Sequence, residues 1–102
     1  MGFLGNLLKG GGNEKVKEML QNGAVVVDVR SRGEFQGGHV AGSKNIPLDE
    51  LEGRLNEIKK IGKPLVLCCA SGMRSGRASS FLKSQGVDCE NGGGWTSVNS
   101  MI

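Results

Sequence analysis

The stretch Leu65-Val66-Leu67-Cys68-Cys69-Ala70-Ser71-Gly72-Met73-Arg74-Ser75 constrains this chain more than any other. An apolar run ends in a cysteine. A short loop of small residues follows, and then an arginine. Ala78, Phe81 and Leu82 come next at i, i+3 and i+4, the spacing of one helix face. The order is strand, loop, helix. Backbone N–H groups at a helix start lack intrahelical partners and carry partial positive charge. A loop entering that start can wrap its amides around an anion. A thiolate is such an anion, and a cysteine held there beside an arginine has its pKa drawn from about 8.5 into the range of roughly 3.5–7.5. The stretch predicts a reactive cysteine facing an anion cradle.

The flanking segments predict the frame around it. Asn13 can cap a helix over 14–21 whose apolar side is Val16, Met19 and Leu20, with Gly23 as its stop. Ala24-Val25-Val26-Val27 is continuously apolar and β-branched, which suits a strand covered on both faces, as in a parallel sheet. It runs into Asp28-Val29-Arg30, at the carboxyl end where α/β proteins place binding groups. An ordinary surface ion pair is an equal reading of Asp28 and Arg30. Ser31 and Glu34 have capping-box spacing, and Gly37-Gly38 ends that short helix. His39-Val40-Ala41-Gly42 reads as a turn and Lys44-Asn45-Ile46 as a short strand. Asp49 with Glu52 is a second capping box, opening a helix with Leu51, Leu55 and Ile58 inward and Gly62 at its end. Leu65–Cys68 is the next strand. Gly86 caps the helix after the central loop, Val87-Asp88-Cys89 is a last strand, and Trp95 anchors the C-terminal end. Strands alternating with helices give an α/β fold with a mostly parallel sheet.

Length and charge set the limits. The chain's 102 residues suit one compact domain. Four aromatic residues (three Phe, one Trp) and a net charge of +3 do not point to nucleic acid. The charge distribution is more telling. Ile58 to Val87 contains no Asp or Glu but has Lys59, Lys60, Lys63, Arg74, Arg77 and Lys83, so the cysteine loop should attract small anions. Most of these lysines are read as solvated helix faces. Residues 1–12 are read as an extension, a docked or frayed turn with a glycine hinge. They lack the run of a signal peptide, and Asn6 stands where myristoylation expects Ser or Thr. No segment is long enough to span a membrane. The three cysteines, Cys68, Cys69 and Cys89, make no disulfide framework, and one histidine gives no zinc spacing, so a reducing, cytoplasmic setting without a metal is expected. His39 is a candidate base for the cysteine, but a lone loop histidine more often makes a structural hydrogen bond, and that reading is preferred.

Asp28-Val29-Arg30, Glu34-Phe35, Gly38-His39-Val40-Ala41-Gly42-Ser43 and Asn45-Ile46-Pro47 resemble the N-terminal signature of rhodanese domains. Cys69-Ala70-Ser71-Gly72-Met73-Arg74-Ser75 resembles their active-site loop, and Gly93-Gly94-Trp95 their C-terminal signature. The resemblance covers residues 13–102. It implies one rhodanese-like domain of three layers, with a five-stranded parallel sheet and helices on both faces. It implies sulfurtransferase chemistry through a persulfide on Cys69, needing no cofactor. The donor would be a small anion such as thiosulfate, and the acceptor cyanide, a thiol or a protein thiol. The amides of Ala70, Ser71, Gly72, Met73, Arg74 and Ser75 would surround the sulfur, with Arg74 closing the loop and Asp28 and Arg30 in support. One departure stands out. Members that act well on thiosulfate often carry a basic residue directly after the cysteine, whereas this chain has Ala70 there and an apolar Met73. A protein persulfide or polysulfide is the alternative donor.

Three rivals remain at this level. Counted from Cys68, the loop has the Cys-x5-Arg spacing of phosphatases and arsenate reductases. Against that, Leu67 stands where their common motif has histidine, and Cys68 continues the strand alternation as a buried side chain. A non-enzymatic persulfide carrier needs the same cysteine as an enzyme. A Cys68–Cys69 redox switch would require strained geometry.

Overall fold

The computed structural model describes residues 14–102. The expected extension over 1–12 and the Asn13 cap lie outside the described residues. Helix α1 covers 14–21, and Gly23 takes φ +92° at its end, as a helix stop requires. Then come β1 (Val25–Asp28), α2 (Arg32–Gln36) and β2 (Lys44–Asn45). Two 3-10 turns follow, Leu48–Glu50 and Glu52–Arg54, leading into α3 (Leu55–Lys60). The chain closes with β3 (Leu65–Cys69), α4 (Met73–Ser84), β4 (Cys89–Gly94) and α5 (Trp95–Ser100).

The sheet is parallel throughout, in the order β2-β1-β3-β4. It has four strands among the described residues, which corrects the expected five. The described sequence holds just four β-type stretches, and between β2 and β3 the chain makes turns and a helix. Each face carries its own core, because successive side chains on a strand point opposite ways. One core joins Val27, Leu65, Leu67 and Cys69 to Ile58 of α3 and to Ala78 and Leu82 of α4. The other joins Val26, Val66 and Cys68 to Val16 of α1 and Val98 of α5, with Trp95 packed against it. Helices therefore cover both faces, as expected of a three-layer α/β fold.

Two local expectations are corrected. The Asp49–Glu52 capping box does not form. Pro47 and Leu51 open the two 3-10 turns without a side-chain cap, and α3 begins only at Leu55. Gly53, at the centre of the second turn, weakens a continuous helix there. The last strand does not run from Val87 to Cys89. It begins at Cys89 and takes in the glycines. The β3–β4 register shifts between Leu67 and Cys68, pairing Leu67 with Asn91 and Cys68 with Gly93. Gly92 is the extra residue of this bulge, and a Cβ there would meet Val66 Cγ1 and Val98 Cγ2 at 2.7 Å each. The strand passes this close because residue 92 has no side chain.

Candidate active site

Cys69 is the last residue of β3, and α4 starts at Met73. The connecting loop is therefore only Ala70-Ser71-Gly72. Met73, Arg74 and Ser75, expected in the loop, form the first turn of the helix instead. Gly72 makes this turn possible. It has φ +98°, and a Cβ on it would stand 3.2 Å from Gly93 Cα. Having no side chain, it also caps none of the N–H groups at the helix start.

The donors converge on one atom. Cys69 Sγ accepts from Gly72 N–H at 3.0 Å, from Ser75 N–H at 3.4 Å and from the Ser75 hydroxyl at 3.3 Å. Burial pushes the Cys69 thiol up. The Ser75 hydroxyl and the backbone N–H groups of Ser75, Gly72 and Ser71 more than offset this, leaving it below the ordinary cysteine value. Cys68 is placed differently. Burial, with the charge of Asp28 beside it, pushes its thiol up to about 12. It belongs to the opposite core and has none of these donors.

Asn91 was not singled out in the sequence, yet it holds the cradle together. Its Oδ1 accepts from the Ser75 hydroxyl at 2.7 Å and from Gly93 N–H at 2.9 Å, and its Nδ2 donates to Gly72 O at 3.0 Å. One carboxamide thus ties β4 to both ends of the turn. A hydroxyl has one proton to donate. With Cys69 as a thiol, S–H can donate to Ser75 Oγ, which donates on to Asn91. With Cys69 as a thiolate, the same hydroxyl can turn to the sulfur. No local pattern announces this link, since the bulge alone sets Asn91 beside the loop.

Arg74 does not point its charge into the cradle. Both its terminal nitrogens donate to Glu34, Nη1 to Oε1 at 2.8 Å and Nη2 to Oε2 at 3.0 Å. Glu34 in turn completes the predicted capping box of α2, accepting from the Ser31 N–H and hydroxyl. The Arg74 guanidinium, followed by the Ser31 N–H, holds the Glu34 carboxyl down at about 2. The acid-free stretch is thus not acid-free in space, because α2 supplies Glu34 from 40 residues away. Ala70, Ser71 and Met73 are exposed around the loop, Met73 to 75%.

Asp28 and Arg30 are neither a surface pair nor part of the cradle. Asp28 is fully buried and Arg30 nearly so. Arg30 donates to Asp28 through its backbone N–H, Nε and Nη2, and also from Nη2 to Gly38 O at 2.7 Å. Its guanidinium lies 4.9 Å from the centre of the Trp95 ring. The pair fastens the turn after α2 to α5. His39 stacks on Phe35 and donates from Nδ1 to Phe35 O at 2.7 Å, the structural role preferred for it. Among the described residues no group of three or more His, Cys, Asp or Glu side chains could hold a metal ion, and no helix is long and apolar enough to cross a membrane.

Comparison with known proteins agrees with this fold. The family model for the Rhodanese-like domain matches residues 12–100. "Uncharacterized protein YqhL" of Bacillus subtilis is 48% identical over 63 residues, 62% of this chain and 49% of that protein. "Thiosulfate sulfurtransferase GlpE" of Ectopseudomonas mendocina is 33% identical over 73 residues, 72% of this chain and 66% of that protein. The chain thus spans about half to two thirds of these relatives. The crystal structure of a rhodanese-related protein from Thermoplasma volcanium superposes with a TM-score of 0.72 at 29% identity, covering 83% of this chain and 86% of that one.

Proposed function

The chain belongs to the Rhodanese-like domain family, and on that premise we propose that it takes a sulfane sulfur onto Cys69 as a persulfide and passes it to a thiophilic acceptor. The observation that carries this reading is the convergence of the Gly72 N–H, the Ser75 N–H and the Ser75 hydroxyl on Cys69 Sγ. Donors fixed before the reaction stabilise a thiolate without having to reorganise. With thiosulfate as donor, the Cys69 thiolate attacks the outer sulfur, a new S–S bond forms, and sulfite leaves with the electrons of the old one. The product is again an anion on sulfur, and the amides from Ala70 to Ser75 are the groups available to receive it. Cyanide or a thiolate then attacks that outer sulfur, leaving as thiocyanate or a new persulfide and restoring the Cys69 thiolate. No step calls for a cofactor, and a reducing cytoplasm would keep the cysteine free.

Intact mass after treatment with thiosulfate tests the reading. Wild type and Cys68→Ser should each gain one sulfur atom, and cyanide should remove it. Cys69→Ser should gain none. A Cys69→Ser protein that still takes up cyanide-labile sulfur overturns the assignment. The same persulfide would serve a carrier delivering to a protein thiol, a reading favoured by the exposed Met73. Sustained turnover with excess thiosulfate and cyanide marks an enzyme, and loading without turnover marks a carrier.

A further inference from the structure

The one arginine of the cradle turn is already occupied. Its two terminal nitrogens are spent on the two oxygens of Glu34, in the parallel two-point geometry that makes Arg–carboxylate pairs specific. Glu34 is itself fixed by Ser31, so the carboxylate is held in place and is no loose surface group. Neither partner is buried, each side chain being 38% exposed. The rest of the loop surface, Ala70, Ser71 and Met73, is uncharged. The cradle therefore offers N–H and O–H donors to a sulfur anion, while the positive charge beside it is cancelled on the spot.

A donor that presents only the transferred sulfur as an anion has what it needs in such a site. A donor with a second negative charge, on the oxygens of its leaving group, would need a free cation at the mouth. Resting on the sulfur-transfer reading, we propose that Glu34 is a positioning residue that sets donor charge: by holding Arg74 it tunes the Cys69 site toward monoanionic sulfane donors and against dianionic ones. The departure in the sequence agrees, because Ala70 and Met73 supply no replacement charge.

The test uses two donors that differ by one charge. Thiosulfate is a dianion. Methanethiosulfonate carries the same transferable sulfur on a sulfonyl group but replaces one charged oxygen by a methyl, and its leaving group is methanesulfinate in place of sulfite. Rates of persulfide formation on Cys69 are measured by quench and intact mass for wild type, Glu34→Gln, Glu34→Ala and Glu34→Gln/Arg74→Gln. Because the donors differ in intrinsic reactivity, the readout is the change in their rate ratio. Freeing Arg74 should speed loading from thiosulfate by about tenfold in Glu34→Gln, the effect of about one uncompensated surface charge at close range. Loading from methanethiosulfonate should change much less, and the Glu34→Ala ratio should shift in the same direction. In the double variant the thiosulfate gain should vanish, since it acts through Arg74. A ratio that stays within twofold in both single variants, or a gain that survives loss of Arg74, overturns the inference and leaves sulfur transfer standing. Failure of wild type to load from either donor overturns both.

Discussion

Cys68 and Cys69 are adjacent in the chain and belong to opposite faces of the sheet. Cys69 packs with Leu67, Ala78 and Leu82 under α4, while Cys68 packs with Val66 and Val98 under α5. The period of two along a strand does this, and it decides which thiol meets the amides of the turn. Cys69→Ser should therefore abolish sulfur loading with little change in melting temperature, since Ser75 and Gly72 can still bond a hydroxyl. Cys68→Ser should retain much of the loading but lose stability, because it places a hydroxyl in an apolar core. A cost of about 1–3 kcal/mol is expected for a poorly paired buried polar group. Thermal melts and cyanide-labile sulfur on both variants check the pair. A dead Cys68→Ser beside an active Cys69→Ser would return the phosphatase-type count from Cys68.

Cys68 also makes an alkaline prediction. Its thiol is pushed up to about 12 by burial and by Asp28, whereas the unfolded chain loses that proton near 8.5. The folded state thus holds the proton more tightly. The stability from this group is fully present below the unfolded pKa and is lost as pH rises through the folded one. At about 1.36 kcal/mol per unit, the loss is on the order of 5 kcal/mol at most across that window. Cys68→Ala should flatten the fall in urea stability between about pH 9 and pH 12 relative to wild type. Parallel curves for the two proteins would show that folding leaves the Cys68 thiol titrating as it does in the unfolded chain, and would overturn the burial argument.

Asp28 and Arg30 are where the sequence was most ambiguous, and the structure makes them costly to separate. Removing the guanidinium leaves the buried Asp28 carboxylate with no counter-charge and takes the Nη2 donor away from Gly38 O. Breaking such a pair from one side costs about 3–5 kcal/mol. Arg30→Leu should be destabilised by that order, and Trp95 emission should shift because the cation over its ring is gone. Arg30→Lys restores the charge but not the fork, so only part of the stability should return. An Arg30→Leu protein as stable as wild type would mean that water pays the carboxylate's desolvation.

What could be read in advance follows from what is local. The β-branched run at 25–27, the Ser31–Glu34 box and the glycine stops at Gly23 and Gly86 are set by neighbours in sequence, and all appear where expected. The reactive turn was legible because strand, small residues and helix start are contiguous. The glycine-rich strand was not, since glycine has poor strand propensity and Cys89–Gly94 is extended by its packing against Val66 and Val98. Nor were the two side chains that shape the cradle. Glu34 reaches Arg74 across 40 residues and Asn91 reaches Gly72 across 19, and no periodicity encodes contacts made by folding α2 and β4 beside the turn.

Ser75 and Asn91 together set the charge of Cys69, through a hydroxyl that lies within reach of both the sulfur and the Asn91 carboxamide. The thiol lies below the ordinary cysteine value: burial raises it, and the lowering groups are led by the Ser75 hydroxyl, ahead of the backbone N–H groups. A folded pKa below the unfolded one means that the native state favours the thiolate. The stability this adds is present above the unfolded pKa and is lost as pH falls through the folded one. Alkylation by iodoacetamide follows the thiolate, so its rate should rise with pH around a midpoint below about 8.5. Ser75→Ala removes the leading donor and keeps the amides, and should raise that midpoint, since a hydrogen bond to the charged form is lost. Asn91→Asp should also raise it, for two reasons. A carboxylate competes harder for the Ser75 proton, and it adds negative charge behind the thiolate. It also loses the donor to Gly72 O, so Asn91→Ala, which loses that donor without adding charge, is the control and should shift the midpoint less. If all three variants titrate with wild type, the cradle does not tune Cys69. A wild-type midpoint at the free-cysteine value would require a base, and His39, with Nδ1 committed to Phe35 O, would have only Nε2 to offer.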